Sequence, residues 1–129
     1  GSGLVGIVID AGPNYAKIRS IIDDTSNISG SMLSTKGYCI VKGNLQTMDK
    51  GQVIEFSQLK NGIEPIENGE QVVTSNISDK YLPNILIGYI HTINKDNNNL
   101  TKSGFVTPAV DFEHLEEVLV ILETKEELE

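Results

Sequence analysis

Short apolar segments, separated by glycine, proline, asparagine and aspartate, follow one another along the whole chain. Each segment is about five to nine residues long, and this spacing is typical of a small barrel or sandwich. We therefore predict an all-β protein. The strands are expected near Leu4–Ile9, Ala16–Ile22, Ile28–Leu33, Tyr38–Lys42, Gln52–Phe56, Gln71–Ser75, Leu86–Ile93, Gly104–Val110 and Val118–Glu123.

Alternation within the second predicted strand indicates how it packs. On one face lie Ala16, Ile18 and Ile22, while Lys17 and Arg19 fall on the other. This two-residue period is typical of a half-buried strand. By contrast, the last predicted strand, Val118–Glu123, begins with an unbroken apolar run and is expected to lie deep in a sheet.

Turn-forming residues lie between these predicted strands. Gly12 is free to take a positive φ and Pro13 fixes its own φ, so the pair is expected to turn the chain between the first two strands. The polar stretch 95–104 is predicted to be a hairpin loop, in which asparagine tolerates the left-handed conformation. Near the C-terminus we predict one short helix, capped by Asp111, with Phe112 and Leu115 on one face.

Composition and charge reduce the number of function classes that the chain could belong to. The chain has 129 residues, which is one domain or two very small ones, and its formal net charge is −8. Nucleic acid and anionic lipid headgroups would repel such a surface, and the lysines and arginines are scattered along the sequence. The longest clearly apolar run, Val118–Leu122, is far shorter than the roughly 20 residues that a membrane-spanning helix needs.

Residues with catalytic or ligand-binding chemistry do not form a recognisable constellation. Cys39 is the only cysteine, which excludes an internal disulfide and a cysteine-rich zinc site, and its apolar neighbours favour a buried, inert thiol over a reactive one. His91 is interpreted as a strand histidine rather than a general base, and His114 as part of a helix start. We therefore predict no catalytic, cofactor-binding or metal-binding residues. A β-barrel hydrolase and a small-ligand binding module are the alternatives.

Three stretches carry a family resemblance. These are "GLVGIVIDAGPNYAKIRSIIDD" at 3–24, "GEQVVTSNISDKYLPNILIGYI" at 69–90 and "VTPAVDFEHLEEVLVI" at 106–121. Each is similar to a motif of the MreC family of bacterial rod-shape-determining proteins. The three occur in the family's order and span nearly the whole chain.

The second stretch departs from the family pattern. The family's glycine-rich loop is replaced by residues 75–79, "SNISD", which contain no glycine. Asn76 is the residue best able to replace a left-handed glycine. The resemblance implies that Pro83 and Gly88 retain the closing geometry of the loop.

The resemblance implies both a fold and a function. Proteins of this family are anchored in the cell membrane by one N-terminal helix, followed by a coiled coil and two six-stranded antiparallel β-barrels on the extracytoplasmic side. They are non-enzymatic scaffolds that maintain rod shape by organising peptidoglycan synthesis. They bind the elongation-specific penicillin-binding transpeptidase and membrane partners of the shape machinery, and they self-associate.

The resemblance also implies a division of this chain. Residues 16–95 are expected to form a six-stranded barrel, the second of the two. Residues 1–15 and 96–123 are expected to belong to the first barrel, whose other strands lie outside this sequence, and residues 124–129 are expected to form an acidic tail.

Binding to a partner is expected to depend on a few exposed apolar residues. The candidates in the loop are Asn76, Ile77, Tyr81 and Leu82, with Tyr38 and Phe56 as further candidates. Core packing is the alternative for each of them, and it is the favoured interpretation of Tyr38 and Phe56.

Overall fold

The structure is a computed structural model that describes residues 3–60, 66–77, 82–115 and 118–119. Within this part of the chain it contains eight strands and one α-helix. The strands are β1 (Gly6–Gly12), β2 (Tyr15–Ser20), β3 (Asn27–Met32), β4 (Tyr38–Lys42), β5 (Ile54–Lys60), β6 (Gln71–Thr74), β7 (Leu86–Lys95) and β8 (Thr101–Pro108). The α-helix α1 spans Leu45–Gly51, and a 3-10 turn spans Phe112–His114.

Six of the strands form a closed antiparallel barrel in the order β3-β4-β5-β8-β7-β6. Closure pairs both edges of every strand, so this sheet presents no free edge to solvent. Apolar side chains such as Ile28, Val41, Ile54 and Val72 fill the interior and are at most 1% exposed. The predicted all-β fold with a six-stranded barrel and a short helix near the C-terminus is confirmed.

The barrel contains a different set of strands from the predicted one. The predicted segment 16–95 includes β2 and excludes β8, whereas β8 closes the barrel between β5 and β7. β2 instead pairs with β1 in a separate two-stranded sheet. The physical reason is that strands joined by a short turn pair with each other. The predicted boundaries at 15/16 and 95/96 each divide such a hairpin.

The strand pairings show that the connections between strands lie at the two ends of the barrel. One end, here called the helix end, carries the base of the β1–β2 hairpin, α1, the loop between β6 and β7, and the segment that follows β8. The opposite end carries the β3–β4 turn, residues 66–70 and the β7–β8 turn.

Two residues at the base of the β1–β2 hairpin belong to the barrel core. Leu4 and Ile21 are buried in the same apolar cluster as the barrel residues, and the Leu4 amide donates to the Leu86 carbonyl oxygen at 2.8 Å. Farther along the hairpin, Val8 and Ile18 face each other across the strands and are 41% and 39% exposed. The face predicted to be half-buried is therefore largely open to solvent.

The helix α1 is an element that the sequence interpretation missed. Asn44 caps it, with the Asn44 side chain accepting from the Thr47 amide at 3.0 Å, and Lys50 lies in its last turn. Met48 packs into the core. A cap residue before the helix and a lysine at its end are sequence signals for a helix, but seven residues are too few for a clear apolar period.

The predicted C-terminal elements are described in part. Asp111 caps the 3-10 turn by accepting from the Glu113 amide, as predicted for a helix start, and Phe112 packs against the core. Leu115, however, is 44% exposed. Most of the predicted strand Val118–Glu123 lies outside the described residues.

Candidate partner-binding site

The loop between β6 and β7 presents apolar side chains at the helix end of the barrel. Ile77 is 64% exposed, Asn76 beside it is also exposed, and Leu82 is half-buried. The candidate Tyr81 lies outside the described residues, together with Ser78, Asp79 and Lys80. Of the four loop candidates, the structure describes Asn76 and Ile77 on the first limb of the loop and Leu82 on the second.

Both described limbs of this loop are hydrogen-bonded to the barrel. On the first limb, the Ser75 amide donates to the Ser29 carbonyl oxygen at 2.9 Å, and Ser75 Oγ accepts from the Ile77 amide at 3.2 Å. On the second limb, the Thr74 amide donates to the Ile85 carbonyl oxygen at 2.8 Å. The exposed Ile77 therefore lies two residues after the buried Ser75, whose side chain accepts a hydrogen bond from the Ile77 amide.

Among the described residues of this loop, the left-handed conformation is taken by Asn84 and not by Asn76. Asn84 has φ 65° and follows Pro83, whereas Asn76 has no positive φ. Proline followed by a residue of positive φ is the pattern of a type II turn, and asparagine tolerates that conformation. Asn76, interpreted from the sequence as the residue best able to replace a left-handed glycine, does not take that conformation, whereas Asn84 takes it in the turn that follows the proline.

The glycines chosen as turn residues serve close backbone and ring approaches. A Cβ atom on Gly88 would lie 2.1 Å from the Thr107 carbonyl oxygen of β8. Gly12 lies at the end of β1 before the turn at Pro13, but its φ is not positive. A Cβ atom on Gly12 would lie 2.2 Å from the ring of Tyr15, its partner across the hairpin.

The two candidates outside the loop lie elsewhere in the fold. Phe56 is 1% exposed and packs in the barrel core, as the interpretation favoured from the sequence has it, so its candidacy for partner binding falls. The large ring on an inward-facing position of β5 fills the barrel interior. Tyr38 is half-buried on β4, with its hydroxyl 3.3 Å from Ser29 Oγ.

The two histidines lie on different elements. His91 is exposed on β7, and His114 lies in the 3-10 turn, where its Nδ1 is 2.9 Å from Asp111 Oδ2. This hydrogen bond holds the pKa of the Asp111 carboxyl below its usual value. Asp111, Glu113 and His114 have potential metal-ligand atoms within 4.8 Å of one another, but all three are exposed. Capping of the turn by Asp111 accounts for this grouping.

Two surface cavities lie at the two ends of the barrel. The larger, about 340 Å³, lies at the opposite end of the barrel and is lined by Ser34 and residues 66–70. The smaller, about 210 Å³, lies at the helix end between α1 and residues 107–111. Ser34 donates to Glu70 within the larger cavity. The lining of this larger cavity is mostly polar, whereas the pockets that bind small ligands are mostly apolar.

From the sequence, Thr74 and Ser75 are interpreted only as part of the polar connection between two strands, and their role in holding the loop was not predicted. Thr74 and Ser75 are 1% and 4% exposed and are two of the three buried polar residues in the described chain. The available signal is a hydroxyl pair that directly continues the apolar run of β6. Without the fold, such residues cannot be distinguished from the polar start of a loop.

The geometry defines a class of protein: a small closed β-barrel with a hairpin and a loop displayed at one end. A family model, "Rod shape-determining protein MreC, barrel core", matches residues 1–122. The chain therefore belongs to the MreC family, whose members determine rod shape. Among the described residues, no helix is long and apolar enough to cross a bilayer.

Individual relatives support this membership. The cell shape-determining protein MreC of Listeria monocytogenes is 27% identical over 126 residues, which is 97% of this chain and 42% of that protein. A solved MreC structure from the same genus superposes with a TM-score of 0.75 at 26% identity, covering 88% of this chain and 53% of that one. This chain thus spans about half, or less, of these relatives.

A third likeness shows the fold alone. The MreC of Helicobacter pylori, solved in a complex with a penicillin-binding protein (PBP2), superposes with a TM-score of 0.60 at 17% identity. The match covers 81% of this chain and 65% of that one.

Proposed function

We propose that this chain is part of a membrane-anchored, extracytoplasmic scaffold that organises peptidoglycan synthesis in elongating cells. In this role it binds an elongation-specific penicillin-binding transpeptidase and membrane partners, associates with copies of itself, and catalyses no reaction. The observation that carries the proposal is the exposed Ile77 on a loop fixed to the barrel of an MreC-family chain. The H. pylori complex supports the class of partner.

The loop has the features of a contact surface. Affinity at protein interfaces is concentrated in a few large side chains that are exposed before binding and buried after it. Ile77, at 64% exposure, with the adjacent Asn76 and the half-buried Leu82, fits this description. Tyr81 is part of the proposal from its sequence position, and Tyr38 is a weaker member on the barrel wall.

We propose that the β1–β2 hairpin belongs to the family's first barrel and not to the closed barrel formed by the other six strands. Its exposed cross-strand pair, Val8 and Ile18, leaves an apolar surface on a two-stranded sheet. Such a sheet is marginally stable in water without further strands or a packing partner. Membership of the first barrel of the longer protein would supply both.

The contact proposal is tested by changing Ile77 to serine. We expect Ile77→Ser to weaken binding of a purified elongation-specific penicillin-binding transpeptidase by about tenfold, because an apolar anchor is lost. Affinity is measured by surface plasmon resonance. Sedimentation velocity on the same samples measures self-association.

Leu100→Ser is the matched control. Leu100 is 71% exposed but lies in the β7–β8 turn at the opposite end of the barrel. Equal affinities of the Ile77→Ser variant and the unmodified chain would contradict the assignment of the loop. Equal losses in both variants would point to a general loss of surface apolarity instead.

A further inference from the structure

The turn that closes the β6–β7 loop is completed by a side chain. In a closed turn, the Ile85 amide would donate to the Leu82 carbonyl oxygen, three residues earlier. Here the Ile85 amide donates to Thr74 Oγ1 at 2.9 Å, and Thr74 Oγ1 donates to the Leu82 carbonyl oxygen at 2.8 Å. The Thr74 hydroxyl thus bridges the two ends of the turn 82–85.

The backbone of Thr74 binds the same turn. Besides its amide bond to the Ile85 carbonyl oxygen, the Thr74 carbonyl oxygen accepts from the Asn84 amide at 2.9 Å. Four hydrogen bonds therefore join Thr74 to residues 82–85. Because Thr74 is 1% exposed, water cannot readily replace the two that its hydroxyl makes.

These hydrogen bonds bear on the cost of ordering the loop. A loop that is ordered only on binding loses affinity, because ordering its backbone and side chains opposes association. Thr74 fixes Leu82 and the turn, while Ser75 fixes the Ile77 amide on the other limb. The backbone of Ile77 and of Leu82 is thereby held in place before any partner arrives.

We propose that Thr74 is a positioning residue for partner binding: its hydroxyl holds the turn 82–85, and with it Leu82, in the binding conformation without touching the partner. This inference rests on the proposed function of the loop. It assigns Thr74 a role that the apolar contact residues Ile77 and Leu82 do not have.

The test compares Thr74→Val with Thr74→Ser. Valine keeps the shape of threonine but leaves the Leu82 carbonyl oxygen and the Ile85 amide without a partner. We expect Thr74→Val to bind the transpeptidase about tenfold more weakly, and Thr74→Ser to bind like the unmodified chain. Hydrogen exchange at the Asn84 and Ile85 amides should accelerate in Thr74→Val alone.

Thr92→Val is the matched control for removing a hydroxyl. Thr92 Oγ1 is buried and has no hydrogen-bond partner among the described residues. Its removal should change neither the binding affinity nor amide exchange in the turn 82–85. A loss of affinity in Thr92→Val as large as in Thr74→Val would overturn the inference.

The outcomes separate this inference from the function on which it rests. Reduced binding by Ile77→Ser with undiminished binding by Thr74→Val would overturn the role of Thr74 alone. No effect from either substitution would overturn both proposals. In the unmodified chain, fast exchange of the Ile85 amide would overturn the inference without any variant, which covers the case in which Thr74→Val folds poorly.

Discussion

Thr74 and Cys39 show how burial acts on two polar groups of the barrel. The Thr74 hydroxyl is satisfied by two backbone partners, so its burial orders the chain around it. The Cys39 thiol is 0% exposed and lies in the apolar core, where burial raises its pKa to about 12. A thiol with this pKa is protonated throughout the neutral range and is a poor nucleophile.

Cys39 is therefore expected to be inert in the folded protein. Alkylation by iodoacetamide at pH 8 should be at least about a hundredfold slower in the native chain than in the chain unfolded by urea. The reason is that the native thiol is protonated and is not accessible to the reagent. Mass spectrometry of timed samples measures the difference. Rapid alkylation of the native chain would contradict the inert interpretation.

At the scale of elements, the pairing of β7 with β8 brings together charges that are distant in sequence. Lys95 lies directly opposite Lys102, and Lys60 lies on the neighbouring strand β5, where it is paired with Thr101. The basic residues that look scattered in the sequence are thus partly gathered at one corner of the barrel. Like charges directly opposite each other destabilise a strand pair.

Replacing one of these lysines should stabilise the barrel. Lys102→Glu would place a carboxylate opposite Lys95 and is expected to raise the free energy of unfolding by about 0.2–1 kcal/mol. The contrasting variant is Lys42→Glu, because Lys42 lies opposite Glu55 and the change creates a like-charge pair. Urea unfolding at low salt measures both. Destabilisation by Lys102→Glu would show that other contacts of Lys102 outweigh the cross-strand charges.

At the scale of the whole molecule, the β1–β2 hairpin contributes to the barrel mainly through its base. Gly43 illustrates how closely the base fits, since a Cβ atom there would lie 2.5 Å from the Ile21 carbonyl oxygen and 2.1 Å from that of Asp23. Ile21, which directly follows β2, is 1% exposed. Ile18, three residues earlier and within β2, is 39% exposed. The hairpin therefore has a base that stabilises the barrel and an outer part that is available to other packing partners.

Two truncations distinguish the base from the outer part. Ile21→Ala is expected to lower the free energy of unfolding by about 2–5 kcal/mol, because it leaves a cavity in the core. Ile18→Ala is the matched control and should cost at most about 1 kcal/mol. Urea unfolding monitored by circular dichroism measures both values. Equal losses would contradict the division of the hairpin.

Much of the architecture was predictable from local pattern. Tyr38–Lys42 was predicted with its observed bounds, and most other strands were shifted by only a few residues, because apolar runs and turn residues mark them. The loop candidates Asn76, Ile77 and Leu82 were placed together by their sequence proximity alone. Phe56 could not be assigned in the same way, since an aromatic residue on a strand is equally compatible with an inward and an outward face.

The sequence by itself determined the all-β class, the turn positions and the membership of a family, because each depends on residues that are near one another in the chain or on recurring motifs. Only the tertiary structure decided that β8 rather than β2 closes the barrel and that Thr74 completes the turn at 82–85. These features depend on strand pairing and on hydrogen bonds between residues eight or more positions apart, and local pattern carries no information about such contacts.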